Sequence, residues 1–173
     1  ALMNNAGGSA AFGEWAKSHI KTKAGAQLAT ILLGILIFID DYFNCLTVGS
    51  VMRPVTDGHN VSRAKLAFLI DATAAPVCII SPISSWAAAV CGFVDGEDGM
   101  NLFVSAIPYN FYAILMVVLM IGMVLAKVEF GPMELHERNA ERGDLFSNGS
   151  IRVQENVTEK DGKKGSVADL VIP

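Results

Sequence analysis

Three stretches of the chain are almost continuously apolar, and each is interrupted in its own way. The first, Ala24 to Met52, opens with sixteen uncharged residues, AGAQLATILLGILIFI. It then sets Asp40 and Asp41 side by side within IFIDDYFNCLTVG, and eleven further uncharged residues lead to Arg53. The second, Ala64 to Val94, contains Asp71, Pro76 and Pro82. The third, Leu102 to Ala126, carries no charge and reads as a plain helix after Pro108. Apolar runs beyond about 18 residues are long enough to cross a bilayer as helices. The pattern predicts an all-α, polytopic membrane protein with a re-entrant helical hairpin, a proline-broken helix and one further spanning helix.

Between these runs the chain is polar. Residues 1–23 hold a Gly/Asn-rich start and a short amphipathic segment, with Phe12, Trp15, Ala16, His19 and Ile20 on one helical face. That suits a helix lying at the membrane surface. Residues 53–63 form a loop, 95–101 an acidic loop, and 127–168 a polar segment that starts a short helix after Pro132 and continues as linker. At 169–173 the chain turns apolar again, as at the onset of another span. The opening ALMNNAGGSAAFGEW has no basic region followed by an apolar core, so it does not read as a signal peptide. Both observations suit a piece of a longer protein.

The first run does not fit one straight crossing. As a single helix its 29 residues would extend about 43 Å, against a hydrocarbon core of roughly 30 Å. The alternative is a hairpin over 24–52 that turns at 40–44 and leaves on the side it entered. The flanking charges favour it. Lys17, Lys21 and Lys23 precede the run, Arg53, Arg63 and Lys65 follow it, and Lys127, Arg138 and Arg142 follow the third run. With a hairpin, all nine basic residues share one face and the acidic Asp95–Glu97–Asp98 loop lies on the other. Basic loops stay cytoplasmic, so the tail 127–173 is expected in the cytoplasm and the chain in the inner membrane.

Composition sharpens this reading. The chain is 52% hydrophobic and 17% charged, below the roughly 25% charge of soluble domains, and mean hydropathy is +0.43. The formal net charge of −4 comes mostly from the tail. No nucleic-acid partner is expected; the partners are the lipid bilayer and either the remaining half of the molecule or a second copy. Cys45, Cys78 and Cys91 all lie in apolar runs and read as small buried hydrophobes. The Asn148 and Asn156 sequons are chance matches in a cytoplasmic tail.

A carboxylate at bilayer depth is costly to insert, and so it marks function. Asp40 and Asp41 are the first candidates: paired carboxylates repel when both are charged, and can hold a proton and exchange it for a cation. One of the two would cap the second arm of the hairpin, as Asp does at helix starts, and the sequence does not say which. Asp71 is either a third carboxylate of the site or an interfacial group paired with Arg63 or Lys65. Asn44, Thr47, Thr73, Ser81, Ser84 and Ser85 offer oxygens suited to Na⁺, or else bond back to their own backbone. Pro76 and Pro82 are the expected helix breaks. Non-helical backbone inside a membrane must be buried in protein or line a cavity, so the hairpin tip is expected against the broken second helix. Trp86 reads as packing, and His19 has no chemical role.

The series IFIDDYFN, MRPVTD, SRAKLA, TAAPV and PISSW, spread over Ile37 to Trp86, resembles the NhaC-type Na⁺/H⁺ antiporter family of the wider ion-transporter superfamily. FGPM, Phe130 to Met133, and VADLVIP near the end are similar to it as well. The resemblance implies inverted repeats of membrane segments and exchange of Na⁺ for H⁺, or coupling of either ion to a small organic acid or amino acid. Asp40 and Asp41 match its paired acidic motif. Asp71, Thr73 and Pro76 match its D-[ST]-T-A-A-P element, with Ala72 in place of a common Ser, and Pro82, Ser84, Ser85 and Trp86 match P-[IV]-S-S-W. No cofactor is implied beyond the transported Na⁺ and H⁺, and no enzymatic activity: the motifs of an intramembrane aspartyl protease, Tyr-Asp and Gly-x-Gly-Asp, do not occur. A non-transporting membrane subunit is the remaining alternative.

Overall fold

A computed structural model describes residues 20–93 and 98–147. Among the described residues the chain is all-helical, with seven α-helices and no strand. They are α1 (Lys23–Leu36), α2 (Asp41–Gly58), α3 (Arg63–Ile80), α4 (Ser85–Cys91), α5 (Gly99–Ala106), α6 (Phe111–Ala126) and α7 (Pro132–Glu141), with a 3₁₀ turn at Ile107–Tyr109.

Helix starts are set by local side-chain chemistry. The side-chain oxygens of Thr22, Asp40, Ser62, Ser84, Asp98 and Asn110 each accept from a backbone N–H in the first turn of α1 to α6 in order. Each such cap is worth about 1 kcal/mol. α7 has no side-chain cap and begins with Pro132, whose missing N–H would have had no helical partner there.

α1 and α2 run antiparallel. His59, just past α2, reaches the carbonyl of Ile20 before α1, while Asn44 near the start of α2 bonds Gly34 and Ile37 at the end of α1. α3 packs along both, and α6 packs on α3 and α1. One core joins Ala26 to Val48, Val51, Met52, Val55, Val61 and Leu66. A second joins Ile31, Leu69, Ala72, Met120 and Val124, where α1, α3 and α6 meet.

Several boundaries differ from the sequence reading. The turn between the first two helices lies at Ile37–Asp40 rather than 40–44, because Asp40 caps α2 and residues 41–44 are already helical. α2 runs through Pro54 to Gly58, which leaves a loop of 59–62 in place of 53–63. The α2 helix accommodates Pro54, and α3 likewise continues through Pro76. The second run breaks at Ser81–Ser84, where Pro82 sits, so Pro82 marks the break and Pro76 does not. In the acidic loop Asp98 caps a helix that has started by Gly99, and the 102–126 run is bent by 47° at Asn110 rather than straight. The amphipathic segment before Ile20, the Asn148 and Asn156 sequons and the apolar 169–173 stretch lie outside the described residues.

No single described helix is long and apolar enough to cross a membrane. Two bent pairs reach the required length and hydropathy together: α3 with α4, bent by 45°, and α5 and its 3₁₀ turn with α6. Large apolar side chains stand exposed on α6, among them Phe111, Tyr112, Leu115, Val118 and Leu119, and on α2 at Tyr42, Phe43 and Leu46.

Candidate functional site

Four backbone segments meet at the Asp40–Asp41 pair: the end of α1, the start of α2, the middle of α3 and the α3–α4 break. α1 ends at Leu36, which leaves its last carbonyls without helical donors. Asn44 supplies them. Its Nδ2 donates to the Gly34 carbonyl at 2.7 Å and to the Ile37 carbonyl at 2.6 Å, and the residue is fully buried. The orientation of the amide is fixed by these partners, since a flipped Asn44 would face oxygen with oxygen. Its Oδ1 is buried without a partner.

Two further contacts lock the junction. A Cβ at Gly34 would lie 2.7 Å from Thr73 Cγ2 and 3.2 Å from Thr73 Cβ, so α1 crosses α3 at a distance only glycine permits. The Ser85 amide, the first residue of α4, donates to the Ile39 carbonyl at 2.8 Å. The break between α1 and α2 is thereby bonded to the break between α3 and α4.

The structure divides the work of the two aspartates. Asp40 is the N-cap, with Oδ1 accepting from the Phe43 amide at 2.8 Å. Asp41 is the first helical residue, and among the described residues its Oδ1 accepts only from the adjacent Tyr42 amide at 3.1 Å. Asp71 lies on the exposed side of α3. Neither basic residue considered for Asp71 takes it: Arg63 bonds Asp57 at 2.7 Å, and Lys65 bonds Glu129 at 2.6 Å.

The candidate oxygens separate into two groups. Thr73 Oγ donates back to the Leu69 carbonyl, and Ser84 Oγ donates to Ser81 and accepts from Ala87. Ser81 Oγ makes a long contact to the Ile83 carbonyl, 3.5 Å. These hydroxyls serve the backbone. Thr47 is buried one turn beyond Asn44, and Ser85 is exposed at the start of α4. Among the described residues no group of three or more His, Cys, Asp or Glu is arranged to hold a metal ion. The cysteines are free, with Cys78 buried and Cys45 and Cys91 half-buried.

Sequence reasoning missed the charged clamp at the other end of the bundle. Lys65, only 1% exposed, pairs with Glu129 and lies 5.6 Å from the centre of the Phe68 ring. Lys23 pairs with Glu137 at 2.8 Å and with Glu141 at 3.1 Å, and buried Glu137 also accepts from the Ser62 amide at 2.8 Å. Burial works to lower the Lys23 pKa, but Glu137 and Glu141 outweigh it and hold the ammonium above its ordinary value. The partners lie 64 to 118 residues apart in the chain, so no local spacing revealed them.

The chain is 36% identical, over its whole length, to an uncharacterized protein of Haemophilus influenzae. It spans about a third of that relative, 33% of its length. No family model matches the chain, and no solved structure matches it.

Proposed function

We propose that the chain is part of a secondary active transporter of the NhaC type, exchanging Na⁺ for H⁺ across the cytoplasmic membrane. The observation that carries this reading is the Ser85–Ile39 hydrogen bond, which joins two helix breaks beside a pair of aspartates. Paired helix breaks bring free carbonyls, helix ends and carboxylates to one place in a membrane, where a small cation can be held without water. α1 and α2 then form a re-entrant hairpin with its tip at Ile37–Asp40. The bent pairs α3–α4 and α5–α6 are the membrane segments, and the basic loops lie in the cytoplasm.

The aspartates act unequally in this scheme. Asp40 holds the start of α2 through its cap. Asp41, bonded only to its neighbour's amide, takes either a proton or Na⁺. Binding one displaces the other, which couples the two flows. The negative end of the α1 dipole faces the same turn and favours a cation there. The remainder of a protein three times as long supplies further ligands and the moving partner. An organic-acid cargo would need a cation at bilayer depth, and Ala24–Met52, Leu66–Val94 and Leu102–Ala126 contain neither Lys nor Arg.

The test is uptake of radioactive Na⁺ by proteoliposomes holding the full-length protein, driven by a proton gradient. Asp41→Asn is expected to reduce uptake to background. Wild-type rates in that variant would sink the assignment.

A further inference from the structure

His59 ends α2 as its C-cap residue. Its Nδ1 lies 2.8 Å from the Val55 carbonyl oxygen and its Nε2 lies 2.9 Å from the Ile20 carbonyl oxygen. Both partners are backbone carbonyls, which accept hydrogen bonds and cannot donate. A neutral imidazole carries one N–H, so one of these contacts would set a nitrogen lone pair against an oxygen lone pair. Turning the ring over would replace both nitrogens by carbons and lose both bonds. Only the doubly protonated ring satisfies the two contacts together.

We propose that His59 is a proton-binding site, occupied in this conformation, and that its proton ties the entry to α1 to the end of α2. The ring sits at the C-terminal end of α2. The charged groups nearby on α2, α3 and α1 are Asp57, Arg63, Lys65, Lys21 and Lys23. On the α2 side Asp57 bonds Arg63 at the start of α3. Farther along α3, Lys65 is taken by Glu129. Before and at the start of α1 stand Lys21 and Lys23, and Lys23 is taken by Glu137 and Glu141 of α7. No carboxylate bonds the His59 ring among the described residues, so the two carbonyls hold the proton in place.

Imidazole changes charge between roughly pH 5 and 8. Loss of the proton leaves Ile20 or Val55 without its donor and loosens the foot of the hairpin. This site lies at the far end of α2 from Asp41, about 27 Å away at the helical rise. It rests on hydrogen-bond counting and stands apart from the transport reading.

The test combines ¹⁵N NMR of histidine-labelled full-length protein with hydrogen exchange at the Gly25 and Ala26 amides, corrected for the intrinsic pH dependence. The His59 ring is expected to carry two N–H groups at low pH and one at high pH. Protection at the foot of α1 should fall about fivefold over the same range, the equivalent of one hydrogen bond. His59→Gln keeps N–H donors without titrating, so its protection should not vary with pH. His59→Phe should be loosely protected throughout. A wild-type ring with a single N–H across the range, or wild-type protection as flat with pH as that of His59→Gln, would overturn the proposal. Either result would leave Na⁺ exchange at Asp41 untouched.

Discussion

The amide of Ser85 donates to the carbonyl of Ile39 over 2.8 Å, across 46 residues of sequence. Each group lies where a helix has stopped, and each would otherwise want a partner. The bond makes two interruptions into one junction and places Asp40 and Asp41 at its edge.

Asn44 carries the α1 side of that junction. Asn44→Ala removes both donors from the Gly34 and Ile37 carbonyls and leaves them buried. Two orphaned acceptors should cost about 2–4 kcal/mol. Asn44→Asp should be no milder, since it presents oxygen to oxygen. Thermal unfolding of the purified full-length protein reads both, and an Asn44→Ala melting temperature equal to wild type would show that the clamp is dispensable.

Gly34→Ala should destabilise by roughly 1–3 kcal/mol through overpacking against Thr73. Thr73→Ser removes the offending Cγ2 and keeps the hydroxyl bonded to Leu69. The double variant should therefore recover part of the loss. Purely additive single and double values would mean that the clash is relieved by movement of the helices instead.

The two aspartates should separate experimentally. Asn is as good a cap as Asp, so Asp40→Asn should change stability by less than about 0.5 kcal/mol, whereas Asp40→Ala should cost about 1 kcal/mol. Asp41→Asn should leave the melting temperature near wild type while abolishing Na⁺ uptake. Loss of uptake in Asp40→Asn with full activity in Asp41→Asn would reverse the roles.

The Lys65–Glu129 pair should respond asymmetrically. Glu129→Gln leaves a nearly inaccessible ammonium uncompensated except by the Phe68 ring, a change of the kind that costs about 3–5 kcal/mol. Lys65→Met leaves Glu129, which is partly exposed and can be hydrated. Chemical denaturation should rank Glu129→Gln as the more damaging single change, with the double variant milder than Glu129→Gln alone. Equal losses in the two single variants would contradict that burial argument.

Local chemistry determined much of the secondary structure. Six helix starts follow from a Thr, Ser, Asp or Asn whose oxygen reaches an amide in the next turn, and the apolar runs follow from composition. The paired aspartates and the Pro82 break were legible for the same reason. Pro54 and Pro76 were not, because the helices they lie in continue through them and are packed against neighbours on other elements. The turn fell three residues early because Asp40 caps α2, so that residues expected in the turn already belong to the helix.

What only the tertiary structure decided is which groups satisfy one another across the chain. Asn44 offers both nitrogen and oxygen, and only the nearness of the α1 carbonyls turned its nitrogen inward. Gly34 reads as a weak point in a helix until Thr73 is found against it. Lys65 reads as an interfacial charge until Glu129, 64 residues away, accompanies it inside. Sequence fixes capping and hydropathy because those act within a few residues. Burial, ion pairing and the meeting of the two breaks depend on which distant segments pack together, and no local pattern encodes that.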